Sequence, residues 1–154
     1  MIKVLFVCHG NICRSTMAEF LFKDLVKRNN KENKIHIASA GTSSEEIGNP
    51  PHHGTRKKLA EFGISTEGKY ATQLKKHDYD TYDYFIGMDK HNIVNMKRLF
   101  SGDSQNKVKL MLQFAGEERD IADPWYTGNF DKTYEDVHAG GIALFEFLFQ
   151  EKPK

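Results

Sequence analysis

The sequence predicts an α/β fold: a three-layer arrangement in which a four-stranded, parallel, twisted sheet carries helices on both faces, with a ligand-binding loop after the first strand. Three observations lead there. Short apolar, β-branched runs alternate with stretches of helical periodicity, the pattern of parallel strands joined by crossover helices. The first run has no polar residue after Lys3, as expected of a strand covered on both faces. The loop that follows it holds a cysteine, a glycine and an arginine just ahead of a helix, at the strand end where such sheets bind ligands.

The elements follow in order. Ile2–Val7 reads as the first strand, and Met17–Arg28, apolar at 17, 18, 21, 22, 25 and 26, as the first helix. The polar stretch 29–34 ends it. Ile35–Ala40 is the second strand, closed by Gly41. A loop through Gly48-Asn49-Pro50-Pro51 leads to a helix over Thr55–Phe62, stopped by Gly63. Tyr79, Tyr82 and Tyr84 lead into and begin the third strand, Tyr84–Met88. Asp89 is placed to cap a helix over Lys90–Phe100. Val108–Leu112 supplies the fourth strand, residues 113–130 a long loop, and Asp131–Gln150 the last helix, whose Phe145, Phe147, Leu148 and Phe149 read as core. A chain of 154 residues suffices for one good core, so a single domain over 1–154 is expected.

Composition excludes several classes. With 22 basic against 21 acidic residues the net charge is +1, so no bulk field points to nucleic acid or an anionic membrane. The N-terminal apolar run is shorter than the roughly 7–15 residues of a signal-peptide core. Two cysteines five positions apart read as reduced thiols in a cytoplasmic protein. A monomer is expected. No metal or other cofactor is implied: His52-His53 lacks partners at ligand spacing and reads as a solvated helix start. Arg56-Lys57-Lys58 reads as a solvated helix face.

The chemistry concentrates in residues 8–15, Cys-His-Gly-Asn-Ile-Cys-Arg-Ser. A thiol between a strand end and a helix N-terminus meets unpaired backbone N–H groups, the positive end of the helix dipole and a guanidinium. All three favour thiolate, and all three favour a bound oxyanion. Cys8 can therefore attack phosphorus and form a cysteinyl-phosphate. Arg14 offers a planar fork to two equatorial oxygens, and the backbone amides of His9, Gly10, Asn11, Ile12, Cys13 and Arg14 complete the cradle. Ser15 can donate to the Cys8 sulfur. Asn11 tolerates the left-handed backbone of a tight loop and can bond its own backbone, while His9 reads as a rim residue. Cys13 admits two readings, a small apolar residue packed behind the loop or a thiol that traps oxidised Cys8.

A leaving alkoxide or phenoxide needs a proton. Asp123, opening Asp-Pro-Trp-Tyr, can supply it, although Asp-Pro is also a common turn signal. Trp125 and Tyr126 either wall a slot for a phenyl ring or pack the loop.

Val7–Ser15, together with Ser39-Ala40-Gly41-Thr42, Met88-Asp89 and Asp123-Pro124-Trp125-Tyr126, resembles the low-molecular-weight protein tyrosine phosphatases along nearly the whole chain. The resemblance implies hydrolysis of protein phosphotyrosine or small aryl phosphates, with Asp123 as general acid. The chain departs from that family in three places. Thr16 stands where proline is usual, and Thr16 with Glu19 would form a capping box instead. Residues 64–73 lack the family's histidine and arginine, with Lys69 as the nearest match, so the loop-bracing role of that histidine does not carry over. Glu45 and Glu46 replace a rim tryptophan of animal members, which predicts a more open, acidic mouth that disfavours acidic phosphopeptides. Related arsenate reductases need relay thiols that this chain lacks. Protein-arginine phosphatases carry threonine where Ile12 stands, and they remain the alternative. A phosphate-binding module without catalysis would not need Cys8, Arg14 and Asp123 together.

Overall fold

The first apolar run becomes β1 (Ile2–Cys8), an inner strand of a four-stranded parallel sheet in the computed structural model, which describes residues 1–154. On one side β1 pairs with β2 (Ile35–Gly41), and on the other with β3 (Tyr84–Gly87), which pairs in turn with β4 (Val108–Leu110). The spatial order β2-β1-β3-β4 reverses direction at β1. Register brings the carboxyl ends level: Cys8 lies opposite Gly41, and Val7 lies opposite Ala40 on one side and Gly87 on the other. A crevice opens where the strand order reverses, and Cys8 sits at its edge.

Alternation along β1 builds two cores. Val4, Phe6 and Cys8 face α1 (Arg14–Arg28) and α5 (Phe130–Phe149), meeting Met17, Leu21, Phe22, Leu144 and Phe145. Leu5 and Val7 face the opposite way, onto Phe85 and onto Met96 and Phe100 around α3 (Lys90–Leu99). Helices thus cover both faces, as the unbroken apolar character of β1 requires. No helix is long and apolar enough to cross a membrane.

Several expectations are corrected. α1 begins at Arg14, three residues before the apolar periodicity does, and Cys13 occupies its N-cap without a side-chain cap bond. The Thr16–Glu19 capping box does not form, because both residues already lie inside the helix. Thr16 donates instead to the Cys13 carbonyl at 3.0 Å, and Glu19 turns toward β2. An uncapped start leaves first-turn amides free for a ligand. Residues 113–130 are not loop throughout: a 3₁₀ turn covers Met111–Ala115, and α4 (Pro124–Thr127) forms where Asp123 caps and Pro124 takes the first helical position. α2 runs His53–Ala60, two residues earlier than expected at each end. Phe147 is not core but 53% exposed, whereas Phe145 is fully buried. Two positions along a helix turn a side chain through roughly 200°, onto the far face.

Candidate active site

The β1–α1 loop wraps the Cys8 sulfur in donors. Ser15 Oγ lies 3.0 Å from Cys8 Sγ, and the Asn11 amide donates to the same sulfur at 3.3 Å. Asn11 takes the left-handed backbone expected of it, with φ of 61°. Its side chain, however, does not bond its own backbone. Nδ2 donates to Ser15 Oγ at 2.8 Å and to Ser39 Oγ at 2.9 Å, and Oδ1 accepts from the Thr72 amide at 3.0 Å. Because Ser15 Oγ accepts from Asn11, its own hydrogen is free to point at the sulfur.

The bracing continues outward. Ser39 Oγ donates to Glu19 Oε1 at 2.5 Å, and Lys69 Nζ reaches both Glu19 Oε1 at 3.1 Å and the Ser39 carbonyl at 3.0 Å. Lys69 thus secures the loop in the place where the family's histidine is missing. Gly41 presses on the same loop: a Cβ there would lie 2.7 Å from the His9 carbonyl oxygen.

Arg14 is 3% exposed and held from three sides. Nη1 donates to Asp89 Oδ2 at 2.7 Å and to the Ile121 carbonyl at 2.9 Å, while Nη2 reaches Asp123 Oδ2 at 3.4 Å. Nε is buried without a partner. Burial works against the guanidinium charge, but Cys8 and Asp89 outweigh it and the pKa is raised. A buried N–H without a protein partner on a charged guanidinium is suited to bond an anionic oxygen.

The role the sequence gives Asp89 is that of a helix cap, a task it does perform through Oδ1, which accepts from the Asn92 amide at 2.8 Å. Its hold on Arg14 was missed. Met88-Asp89, at the carboxyl end of a strand next to β1, was the available signal. The Ile121 carbonyl carried no signal at all.

Asp123 faces the cleft, with Oδ1 accepting from the Trp125 amide at 3.0 Å and Oδ2 toward Arg14. Together with Cys8, Ile12, Cys13, Trp125 and Tyr126 it lines a space of about 200 Å³. Trp125 and Tyr126 are exposed, at 57% and 83%, so they form a wall and not core. Glu45 and Glu46 stand at the mouth, and His9 is at the rim, its Nε2 3.4 Å from Glu45 Oε2. Cys13 is buried and free, and burial, with Cys8 and Asp123 adding to it, pushes its thiol up to about 12. Of the residues picked from the sequence, Cys8, Arg14, Ser15 and Asp123 converge. His9 stands at the rim of the same cleft, as the sequence led us to expect.

A family model described as low molecular weight phosphotyrosine protein phosphatase matches residues 3–154. The chain is 41% identical over 154 residues to the low molecular weight protein-tyrosine-phosphatase YfkJ of Bacillus subtilis, covering 99% of each. The crystal structure of YfkJ superposes with a TM-score of 0.95 over 99% of this chain and 97% of that one. PtpA of Staphylococcus epidermidis is 38% identical over 153 residues, covering 98% and 96% of the two chains. A Drosophila arginine phosphatase is more distant, at 26% identity and a TM-score of 0.86 over 95% of this chain and 97% of that one.

Proposed function

This chain belongs to the low-molecular-weight phosphotyrosine protein phosphatase family, and from that premise we propose that it hydrolyses phosphotyrosine in proteins, and small aryl phosphates, using Cys8, Arg14, Ser15 and Asp123. Cys8 Sγ attacks phosphorus in line as the ester P–O bond breaks, and Asp123 gives its proton to the departing oxygen. Water then attacks the cysteinyl-phosphate, Asp123 takes up a proton from it, and the P–S bond breaks to release phosphate. Ser15 donates to the departing thiolate. Arg14 Nε and Nη2, with the amides of residues 9–14, take the equatorial oxygens as charge builds on them.

One observation carries this reading: Arg14 is fixed by Asp89 and Ile121 through Nη1, with Nε left buried and unpartnered on a guanidinium that feels the Cys8 charge. A purely structural arginine would have every donor satisfied. Ile12, Trp125 and Tyr126 suit a flat ring, which favours phosphotyrosine over phosphoarginine, and Glu45 and Glu46 disfavour acidic flanking sequence. A monomer acting in the cytoplasm is the accompanying proposal; the two free thiols support the compartment. The 154 residues then work as a single domain.

A turnover comparison tests it, using phenyl phosphate, a phosphotyrosine peptide, a phosphoserine peptide and phosphoarginine. The first two are expected to turn over, with Cys8→Ser inactive on both. Preference for phosphoarginine overturns the substrate, and hydrolysis that survives Cys8→Ser overturns the mechanism.

A further inference from the structure

His52 stands between the nucleophile loop and the acid loop, and the chemistry above leaves it unused. Its backbone N–H donates to the Ile12 carbonyl at 2.8 Å, which ties it to the phosphate cradle. Its ring nitrogen Nδ1 accepts from the Gly54 amide at 3.0 Å and so caps α2, an unusual choice where serine, threonine, aspartate and asparagine predominate. The ring lies nearly parallel to Phe130 at the start of α5, with centroids 5.2 Å apart and planes at 19°. It also meets Trp125 edge to face at 5.6 Å and 81°. Gly54 lacks a side chain for a reason: a Cβ there would fall 2.4 Å from the Phe130 ring.

We propose that His52 is a positioning residue that works as a proton-operated clasp: neutral, it holds the Trp125–Asp123 loop against the nucleophile loop, and protonated, it releases that loop. The coupling runs through short links. Trp125 offers its backbone N–H to Asp123, so a shift of the indole moves the carboxylate. The cap needs a lone pair on Nδ1, and an imidazolium has none. A protonated ring would present an N–H to the Gly54 N–H, and its charge would sit at the positive end of α2. An imidazolium does attract an indole face, but turning toward it breaks the stack on Phe130. The present arrangement therefore fits only the neutral ring.

The charged surroundings favour the neutral ring. On α2, His53 stacks on His52 at 4.3 Å and Arg56 follows one turn on. Glu46 approaches from the 42–51 loop, and Asp123 on the acid loop is engaged with Arg14. On α5, Asp131 is paired with Lys58 at 2.8 Å. Burial first, then His53 and Arg56, lower the His52 pKa, and Glu46 only partly offsets them. The clasp is closed at neutral pH and opens below the ordinary histidine value of about 6.5.

Trp125 is the only tryptophan, so its fluorescence reports the clasp directly. Between pH 7.5 and 5 the wild type should show a single transition with its midpoint below about 6.5. His52→Asn keeps a cap acceptor but lacks the ring, and it should lose that transition, whereas His53→Asn should keep it. Should His52→Asn not fold, His52→Phe retains a ring that cannot titrate and should give a flat profile. The second readout rests on the function proposed above. At pH 7, kcat/KM of His52→Asn should fall about tenfold for phenyl phosphate and much less for p-nitrophenyl phosphate, which hardly needs the acid. A transition that persists unchanged without His52, or equal losses on both esters, overturns the proposal. If the wild type shows no phosphatase activity, the function is wrong, and the fluorescence still decides the clasp.

Discussion

At Asp89 one carboxylate has two tasks, since Oδ1 caps α3 while Oδ2 anchors Arg14. Asp89→Asn separates them. Asparagine caps a helix as well as aspartate does, but with its single oxygen on the cap it turns an NH2 group, a donor, toward Arg14 Nη1. Arg14 then stays buried without its shortest ion pair, so the thermal midpoint should fall, while the inhibition constant for inorganic phosphate should rise about tenfold, the equivalent of roughly 1.4 kcal/mol. At Asp123 the change to asparagine should cost about 10²–10⁴-fold on esters with poor leaving groups and far less on activated phenols. Equal losses along a leaving-group series would remove Asp123 from the acid role. Cys13 yields a pH prediction. Its folded thiol is pushed up to about 12, against about 8.5 for a free cysteine. The unfolded chain therefore releases this proton first. The thiol's contribution to stability is intact below about pH 8.5 and is lost as pH climbs toward 12. A plot of melting temperature from pH 8 to 11 should fall more steeply for the wild type than for Cys13→Ala.

The end of β2 and the segment beyond it shape the site without touching a substrate. Gly41→Ala would drive a methyl group into the His9 carbonyl. Phosphate binding and kcat should collapse together, with a stability loss of about 1–3 kcal/mol, the usual cost of overpacking. Lys69→Met removes a half-buried partner of the buried Glu19 and should cost about 3 kcal/mol, at the low end for a broken buried pair because Lys23 still holds Glu19 at 2.5 Å. Lys69→His should recover part of that loss, as measured by denaturant midpoints. These elements also mark how far the sequence could be read. All four strands and every long helix were legible, because apolar periodicity reports burial directly. The start of α1 was not. Arg14, Ser15 and Thr16 are buried polar residues whose partners lie in the loop or on other elements, so hydropathy marks them as loop. The short α4 had its signal in Asp123-Pro124, but four residues are too few to show a period.

Across the whole molecule, the candidate site was legible where its chemistry is local and hidden where it is not. Cys8, Arg14 and Ser15 lie within eight residues of one another and carry a recognisable pattern. The links that hold them are remote: Asn11 bonds to Thr72 61 positions away, Arg14 to Asp89 across 75 positions, and Arg14 to Ile121 and Asp123 across 107 and 109. A linear reading gives no such pairs, because they depend on which strands become neighbours. That same span sets an order on assembly. Each link closes a loop whose entropy must be overcome before the contact stabilises anything. A ribosome releasing this chain frees the nucleophile early, yet the arginine beside it lacks its full set of anchors until residue 123 has cleared the exit tunnel. A growing polypeptide thus carries its cysteine without a finished anion cradle, and phosphatase activity waits for nearly the whole length.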